Sequence, residues 1–134
     1  MPTAQTRLAL LWHMHQPCYR DPQNGELALP WVRLHAARAY FDMAWLLERH
    51  PTIQATFNFV PVLIDQLEAF TGGERDRYFS LSLKPARLLD DAERRFLLDQ
   101  FFSVDHARCI RPRARYAALL DRRNATRDPA RYSD

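Results

Sequence analysis

The stretch from Leu8 to Pro17, LALLWHMHQP, contains an unbroken apolar run that ends in two histidines, a glutamine and a proline. Such a run predicts a parallel β-strand buried on both faces by helices. Because side chains alternate along a strand, His13 and His15 share one face and Met14 lies on the other. Pro17 ends the strand, since it has no N–H for the sheet. The pattern predicts an α/β fold, in which ligands bind at this carboxyl end of the strands.

The two histidines allow three interpretations. With Gln16, which supplies both donor and acceptor atoms, they can bind a polar ligand. One histidine can instead hold the following loop through a backbone hydrogen bond. The third interpretation is a zinc site with His13 and His15 as ligands. A third ligand, usually a carboxylate, would then come from another strand, but Asn58 stands at the end of the next predicted strand.

The pattern after Pro17 predicts a βαβα order over residues 7–71. Turn-forming residues fill the loop 18–30. Apolar residues at spacings of three and four predict a helix over Trp31–Arg49, and β-branched and aromatic residues predict a second strand over Ile53–Val60. A further helix begins at Pro61, a tolerated first position, and ends before Gly72 and Gly73. Two parallel strands do not distinguish an open sheet from a closed barrel.

The second half of the chain predicts helices without strands. Residues 74–90 suggest an irregular connection, after which a helix is expected over Asp91–Phe102. Asp90 and Glu93 have the spacing of a capping box, which predicts where that helix begins. A fourth helix is expected over Arg113–Arg122.

The predicted domain organisation has three parts: the βαβα segment 7–71, a helical, insertion-like region 74–122 and a polar tail 123–134. Two strands would leave a long unpaired sheet edge. We therefore expect the chain to be part of a larger α/β domain.

Composition limits the function classes. The chain has 134 residues, is 47% hydrophobic and has a net charge of +3, which is typical of a globular protein. It has no apolar run near the roughly 20 residues of a membrane span, and no secretion signal is evident, so a cytoplasmic location is expected without a membrane partner. Cys18 and Cys109 have no metal-type spacing. The basic stretch Arg108–Arg115 lacks a nucleic-acid motif, which favours a solvated helix face over nucleic-acid binding.

Three segments in this order resemble the N-terminus of glycoside hydrolase family 57. They are HMHQP at 13–17, LPWVRLH at 29–35 and ATFNFVP at 55–61. The resemblance extends over nearly the whole chain, and the combination of the three is more specific than the first segment alone.

The resemblance implies the N-terminal part of a (β/α)7 TIM-like barrel that hydrolyses or transfers α-linked sugars, chiefly α-glucans, with retention of configuration. A retaining mechanism needs two carboxyl groups roughly 5 Å apart. In the family these are a Glu nucleophile and an Asp acid/base on later strands, beyond the end of this chain. We therefore expect no catalytic residue, no metal and no cofactor in these 134 residues, and no activity from them alone.

Five residues are the predicted substrate-binding set. The resemblance assigns His13, His15 and Gln16 to sugar contacts. We expect Trp31 either to stack on a sugar ring or to have a core or helix-entry role, and Asn58 either to line the same mouth or to form a turn. His35 is expected to be structural. Other carboxylates in the first half are expected to face solvent rather than to replace the catalytic pair: Glu26, Asp42, Glu48, Asp65 and Glu68.

Two further classes of function remain open besides the glycoside hydrolase. One is a non-catalytic fragment that binds carbohydrate or a partner through the histidine face. The other is a zinc-dependent deacetylase-like or mannosidase-like site. The sequence does not choose between hydrolysis and transfer, and it does not indicate an oligomeric state.

Overall fold

Two short parallel strands lie at the centre of the first half of the chain. The computed structural model describes residues 6–126. Strand β1 is Leu11–Met14 and strand β2 is Thr56–Phe59. They pair in parallel with His13 opposite Asn58. The chain forms two compact units that divide after Arg77, here called the first and second units.

Helices connect the strands of the first unit in a βαβα order. Helix α1 (Trp31–His35) continues through one π-helical segment, residues 36–40, into α2 (Phe41–Glu48). Helix α3 (Pro61–Thr71) follows β2 and begins with its proline. After α3, Gly73 adopts a φ of 98°, a conformation that other residues rarely adopt. The predicted helix, strand and helix of this half are therefore all present, although β2 is shorter than expected.

One face of the sheet packs on the helices and forms the core of the first unit. Met14, Val32 and Leu63 are 2%, 1% and 0% exposed and contact one another. Trp12 and Phe57, which are opposite each other in the register, meet edge to face at 5.0 Å between ring centroids. These residues lie on the Met14 face, as the period of two requires.

The prediction of a first strand buried on both faces is wrong for the described residues. Strand β1 begins at Leu11, later than the apolar run, and includes His13 within the strand. Leu8 is 84% exposed and Leu11 is 64% exposed. The reason is that α1 and α3 cover only the Met14 face, so the face of Leu11 and His13 is open.

The second unit is helical. Its elements are α4 (Arg77–Leu83), a 3-10 turn at 86–88, α5 (Asp91–Gln100), a π-helical segment at 106–110 and α6 (Ala114–Ala125). Leu81, Ile110 and Leu120 are its buried apolar residues within the described range. The expectation of an irregular connection at 74–90 is wrong over α4.

The start of α5 was predicted correctly from a local sequence pattern. Asp90 accepts a hydrogen bond from the Glu93 backbone N–H at 2.8 Å, and the Glu93 carboxylate accepts one from the Asp90 backbone N–H at 3.0 Å. The capping box is thus confirmed. Of the predicted polar tail, residues 127–134 lie outside the described residues, and α6 extends to Ala125. Across residues 6–126, the helices fall short of the length and apolar character that a membrane crossing requires.

Candidate functional site

The open face of the sheet brings together three of the five predicted site residues. The rings of His13 and His15 are stacked, with centroids 5.9 Å apart and an interplanar angle of 12°. Asn58, opposite His13 in the register, has its Oδ1 2.5 Å from His13 Nδ1. All three side chains are exposed. Two imidazoles and an amide therefore form one accessible polar surface at the carboxyl ends of both strands.

The hydrogen bond that His13 donates to Asn58 orients the His13 ring. With Asn58 Oδ1 as the acceptor, Nδ1 of His13 is the protonated nitrogen. In the neutral ring, Nε2 is then left as an acceptor for a ligand hydroxyl. The open sheet face thus offers hydrogen-bonding groups of both kinds.

Gln16 has a different environment from the histidines. It is half-buried, its Oε1 accepts a hydrogen bond from the Tyr19 hydroxyl at 2.8 Å, and its Nε2 donates to the Tyr40 hydroxyl at 3.3 Å. An amide has two N–H groups and two lone pairs, so one N–H and one lone pair stay available for a ligand. Gln16 both joins the strand end to the helices and keeps binding capacity.

Trp31 is the one predicted site residue that the described contacts do not connect to the others. It is the first residue of α1 and is 42% exposed. It is therefore partly exposed at the beginning of a helix. Its role in ligand binding stays a prediction.

Neither described strand contains a carboxylate. The strand sequences are LWHM and TFNF, so no Asp or Glu side chain projects from either face of the described sheet. Asp42, Glu48, Asp65 and Glu68 are exposed on helices, and Glu26 is half-buried in the first loop.

Carboxylates near the end of α3 are engaged elsewhere. Asp76 is fully buried and binds the Arg33 guanidinium, with the Nε to Oδ2 distance at 2.6 Å. Glu74 pairs with Arg20 at 2.8 Å. The ligand chemistry of the described open face is that of imidazole and amide groups.

The described residues lack a cluster of potential metal ligands. Among residues 6–126, no group of three or more His, Cys, Asp or Glu side chains has an arrangement that could hold a metal ion. Cys18 and Cys109 are free and exposed. The third ligand of the zinc interpretation is not supplied by the described part of the chain.

The sequence interpretation missed Gln66, Tyr19 and Tyr40. Gln66 is fully buried on α3 and binds the loop that follows β1. One local signal was available, because Gln66 lies three residues after Leu63 and four before Phe70, on the apolar stripe of the helix. A polar residue on such a stripe needs buried partners. The tyrosines gave no comparable signal.

The fold and the site together define an α/β protein with polar side chains where parallel strands end. Comparison with protein families gives a match to one family, described as Glycosyl hydrolase family 57, over residues 9–126. The chain therefore belongs to glycosyl hydrolase family 57, and carbohydrates are the general class of substrate of that family. Searches of curated proteins and of solved structures give no significant match.

Proposed function

We propose that the open sheet face of His13, His15 and Asn58, with Gln16 and Trp31, is one wall of an α-glucan-binding site. The chain is then the N-terminal part of a (β/α)7 barrel in a retaining hydrolase or transferase. The observation that supports this most is the juxtaposition of His13, His15 and Asn58 at the carboxyl ends of β1 and β2. This is where barrel enzymes bind their substrates.

The chemistry of these groups suits sugar binding. Sugar hydroxyls both donate and accept hydrogen bonds, and the imidazole nitrogens and the amide of Asn58 match both roles. Trp31, which is 42% exposed, is the aromatic residue proposed to stack on the apolar side of a sugar. The site residues bind and orient the substrate, and they do not break the glycosidic bond.

The two carboxyl groups of a retaining mechanism come from strands other than β1 and β2. This part of the proposal is supported by the absence of Asp and Glu from both described strands. Such a pair lies roughly 5 Å apart across the scissile bond. The chain by itself is expected to bind α-glucan without turnover and to act in the cytoplasm.

The test is a titration of the purified chain with maltoheptaose, followed through the histidine ring signals in NMR spectra. We expect the His13 and His15 signals to move, and cellohexaose, a β-linked control, to move them less. His13→Ala should weaken binding about tenfold, the equivalent of one hydrogen bond of about 1.4 kcal/mol.

The matched control is His50→Ala, which removes an exposed histidine between α2 and β2, on the amino-terminal side of β2, and should leave the affinity unchanged. Equal loss in both variants, or no response to maltoheptaose, would contradict the proposed site. Release of glucose from soluble starch by the chain alone would contradict the assignment of both carboxylates to other strands.

A further inference from the structure

A buried glutamine joins the loop after β1 to helix α3. Gln66 is 0% exposed. Its Oε1 accepts a hydrogen bond from the Tyr19 backbone N–H at 2.9 Å, and its Nε2 donates to the carbonyls of Pro17 and Val62, each at 2.9 Å. Both N–H groups and the carbonyl of the buried amide are thus satisfied, which burial requires. Gln66 holds the loop on both sides of Cys18.

Two tyrosines extend this connection to the predicted sugar-binding residues. The Tyr19 hydroxyl donates to Gln16 Oε1 at 2.8 Å, Gln16 Nε2 donates to the Tyr40 hydroxyl at 3.3 Å, and the Tyr40 hydroxyl donates to the His15 carbonyl at 3.4 Å. The series leads from α3 to the backbone of the strand end. It also reaches Tyr40, the last residue of the π-helical segment.

The His15 carbonyl sets the direction of every hydrogen bond in the series. A carbonyl only accepts, so the single hydroxyl hydrogen of Tyr40 is used on it. Tyr40 must then accept from Gln16, and the atom of Gln16 beside it must be the N–H donor. Gln16 Oε1 consequently faces Tyr19. One backbone carbonyl therefore fixes which way the Gln16 amide points.

The environment keeps Tyr19 in its donating form. Burial, and secondarily the neighbouring Tyr40, raise the pKa of the Tyr19 hydroxyl above its ordinary value of 10.0. The hydroxyl therefore stays protonated, and the orientation of Gln16 is preserved, across the neutral range.

We infer that Gln66, Tyr19 and Tyr40, here called the Gln66 frame, are positioning residues that hold Gln16 and the His15 backbone for sugar binding. The inference rests on the proposed function. None of the three frame residues needs to touch sugar, because they act through Gln16 and His15. Gln16 keeps one N–H and one lone pair for a sugar hydroxyl, in a direction that the frame sets.

The decisive variant is Tyr19→Phe, which removes the donor and keeps the ring. It should shift the Gln16 side-chain amide signals in NMR spectra and weaken maltoheptaose binding about five- to tenfold, as expected for one lost hydrogen bond. Gln66→Glu is the second variant, because it keeps the acceptor for Tyr19 and removes the donors. It should weaken binding as well. Tyr116→Phe, which removes the hydroxyl that donates to the Phe101 carbonyl in the second unit, is the matched control and should leave the affinity unchanged.

The outcomes separate the inference from the proposed function. A purely structural role predicts that Tyr19→Phe lowers the unfolding temperature and leaves the affinity intact, and that result overturns the inference. Unchanged Gln16 amide signals in Tyr19→Phe also overturn it. If the wild-type chain does not bind maltoheptaose, the proposed function fails, and the Gln66 frame is judged on the Gln16 signals alone.

Discussion

The first and second units differ in how far their polar contacts reach along the chain. In the first unit, Gln66 binds Pro17 and Tyr19, and Arg33 binds Asp76, so that segments more than 40 residues apart are joined. In the second unit, many contacts are local, such as the Asp90 capping box and the hydrogen bond that the Arg108 backbone N–H donates to the Asp105 carboxylate.

The two units also differ in whether they contain fully buried polar residues. Gln66 and Asp76, the buried polar residues among those described, both belong to the first unit. In the second unit, Arg111 pairs with Asp121 at 2.8 Å at the surface, and Arg123 lies 4.8 Å from the Phe102 ring centroid and donates to the Leu98 carbonyl.

This difference shows which contacts position the groups of the proposed binding site. Long-range hydrogen bonds between buried groups can hold a strand end against a helix, whereas local bonds stabilise only the helix that contains them. In the first unit, the Gln66 contacts thus hold the strand end that carries the predicted binding groups, whereas the contacts of the second unit define helix ends, form surface pairs and, through Arg123, join α6 to α5.

The largest expected effect is in the core under the site. Leu63→Ala removes a fully buried side chain that contacts Met14 and Val32. It should lower the free energy of unfolding by about 4 kcal/mol, through lost burial and a cavity. Chemical denaturation provides the measurement. Ile64→Ala, one residue along α3 and 41% exposed, is the control, and equal losses would show that the core is not where the burial places it.

The second largest loss of stability is expected when the buried ion pair is broken. Arg33→Ala takes two hydrogen bonds from Asp76, a carboxylate with no exposed side-chain area. A loss of about 2–3 kcal/mol in the free energy of unfolding is expected, because the charge stays buried.

The control is Arg20→Ala, because Arg20 pairs with Glu74, whose side chain is 50% exposed. Its loss in the free energy of unfolding should be clearly smaller than that of Arg33→Ala, since exposed pairs are solvated when broken. If both arginine variants lose the same amount in denaturation experiments, the contrast between buried and surface contacts does not hold.

A smaller effect is expected for the local contacts of the second unit. Asp90→Ala removes the acceptor for the Glu93 N–H at the start of α5. It should lower the free energy of unfolding by about 1 kcal/mol. Asp90→Ser keeps a capping oxygen and should restore most of the stability. Thermal and chemical unfolding of both variants test this, and a serine variant as unstable as the alanine variant would rule out capping as the cause.

The smallest effect is a dependence on pH. The Lys84 ammonium, followed by the Asp90 backbone N–H, holds the pKa of Glu93 below its ordinary value of 4.5. The unfolded chain therefore takes up the proton first as the pH falls. The stabilisation is present above pH 4.5 and is lost as the pH falls through the folded-state pKa.

In Glu93→Gln the side chain at this position cannot titrate, so this variant is compared with the wild type. Measured from pH 7 to pH 3, the stability difference between wild type and Glu93→Gln should shrink toward low pH. A constant difference would mean that the carboxylate charge does not contribute.

Prediction from the sequence succeeded where the determinants are local. Pro61 at the start of α3 and the Asp90–Glu93 capping box act within a few residues, and both were placed correctly. The shared face of His13 and His15 follows from the strand period alone, and their stacked rings agree with it. By contrast, α4 lies where an irregular connection was expected, and it was not predicted.

The burial of the strands was predicted wrongly for a physical reason. An apolar run indicates that a strand can be covered on both faces, but the cover depends on which other elements pack there. In the described residues, helices cover the Met14 face, and Leu11 remains 64% exposed.

By itself the sequence determined the βαβα order, the face on which His13 and His15 lie and the family to which the chain belongs, because periodicity, turn chemistry and motif order are local properties. Only the tertiary structure showed that Asn58 meets His13 and that Gln66 holds the loop after β1. Those pairs are separated by 45 and 49 residues, and such contacts form only when parallel pairing and helix packing bring distant segments together.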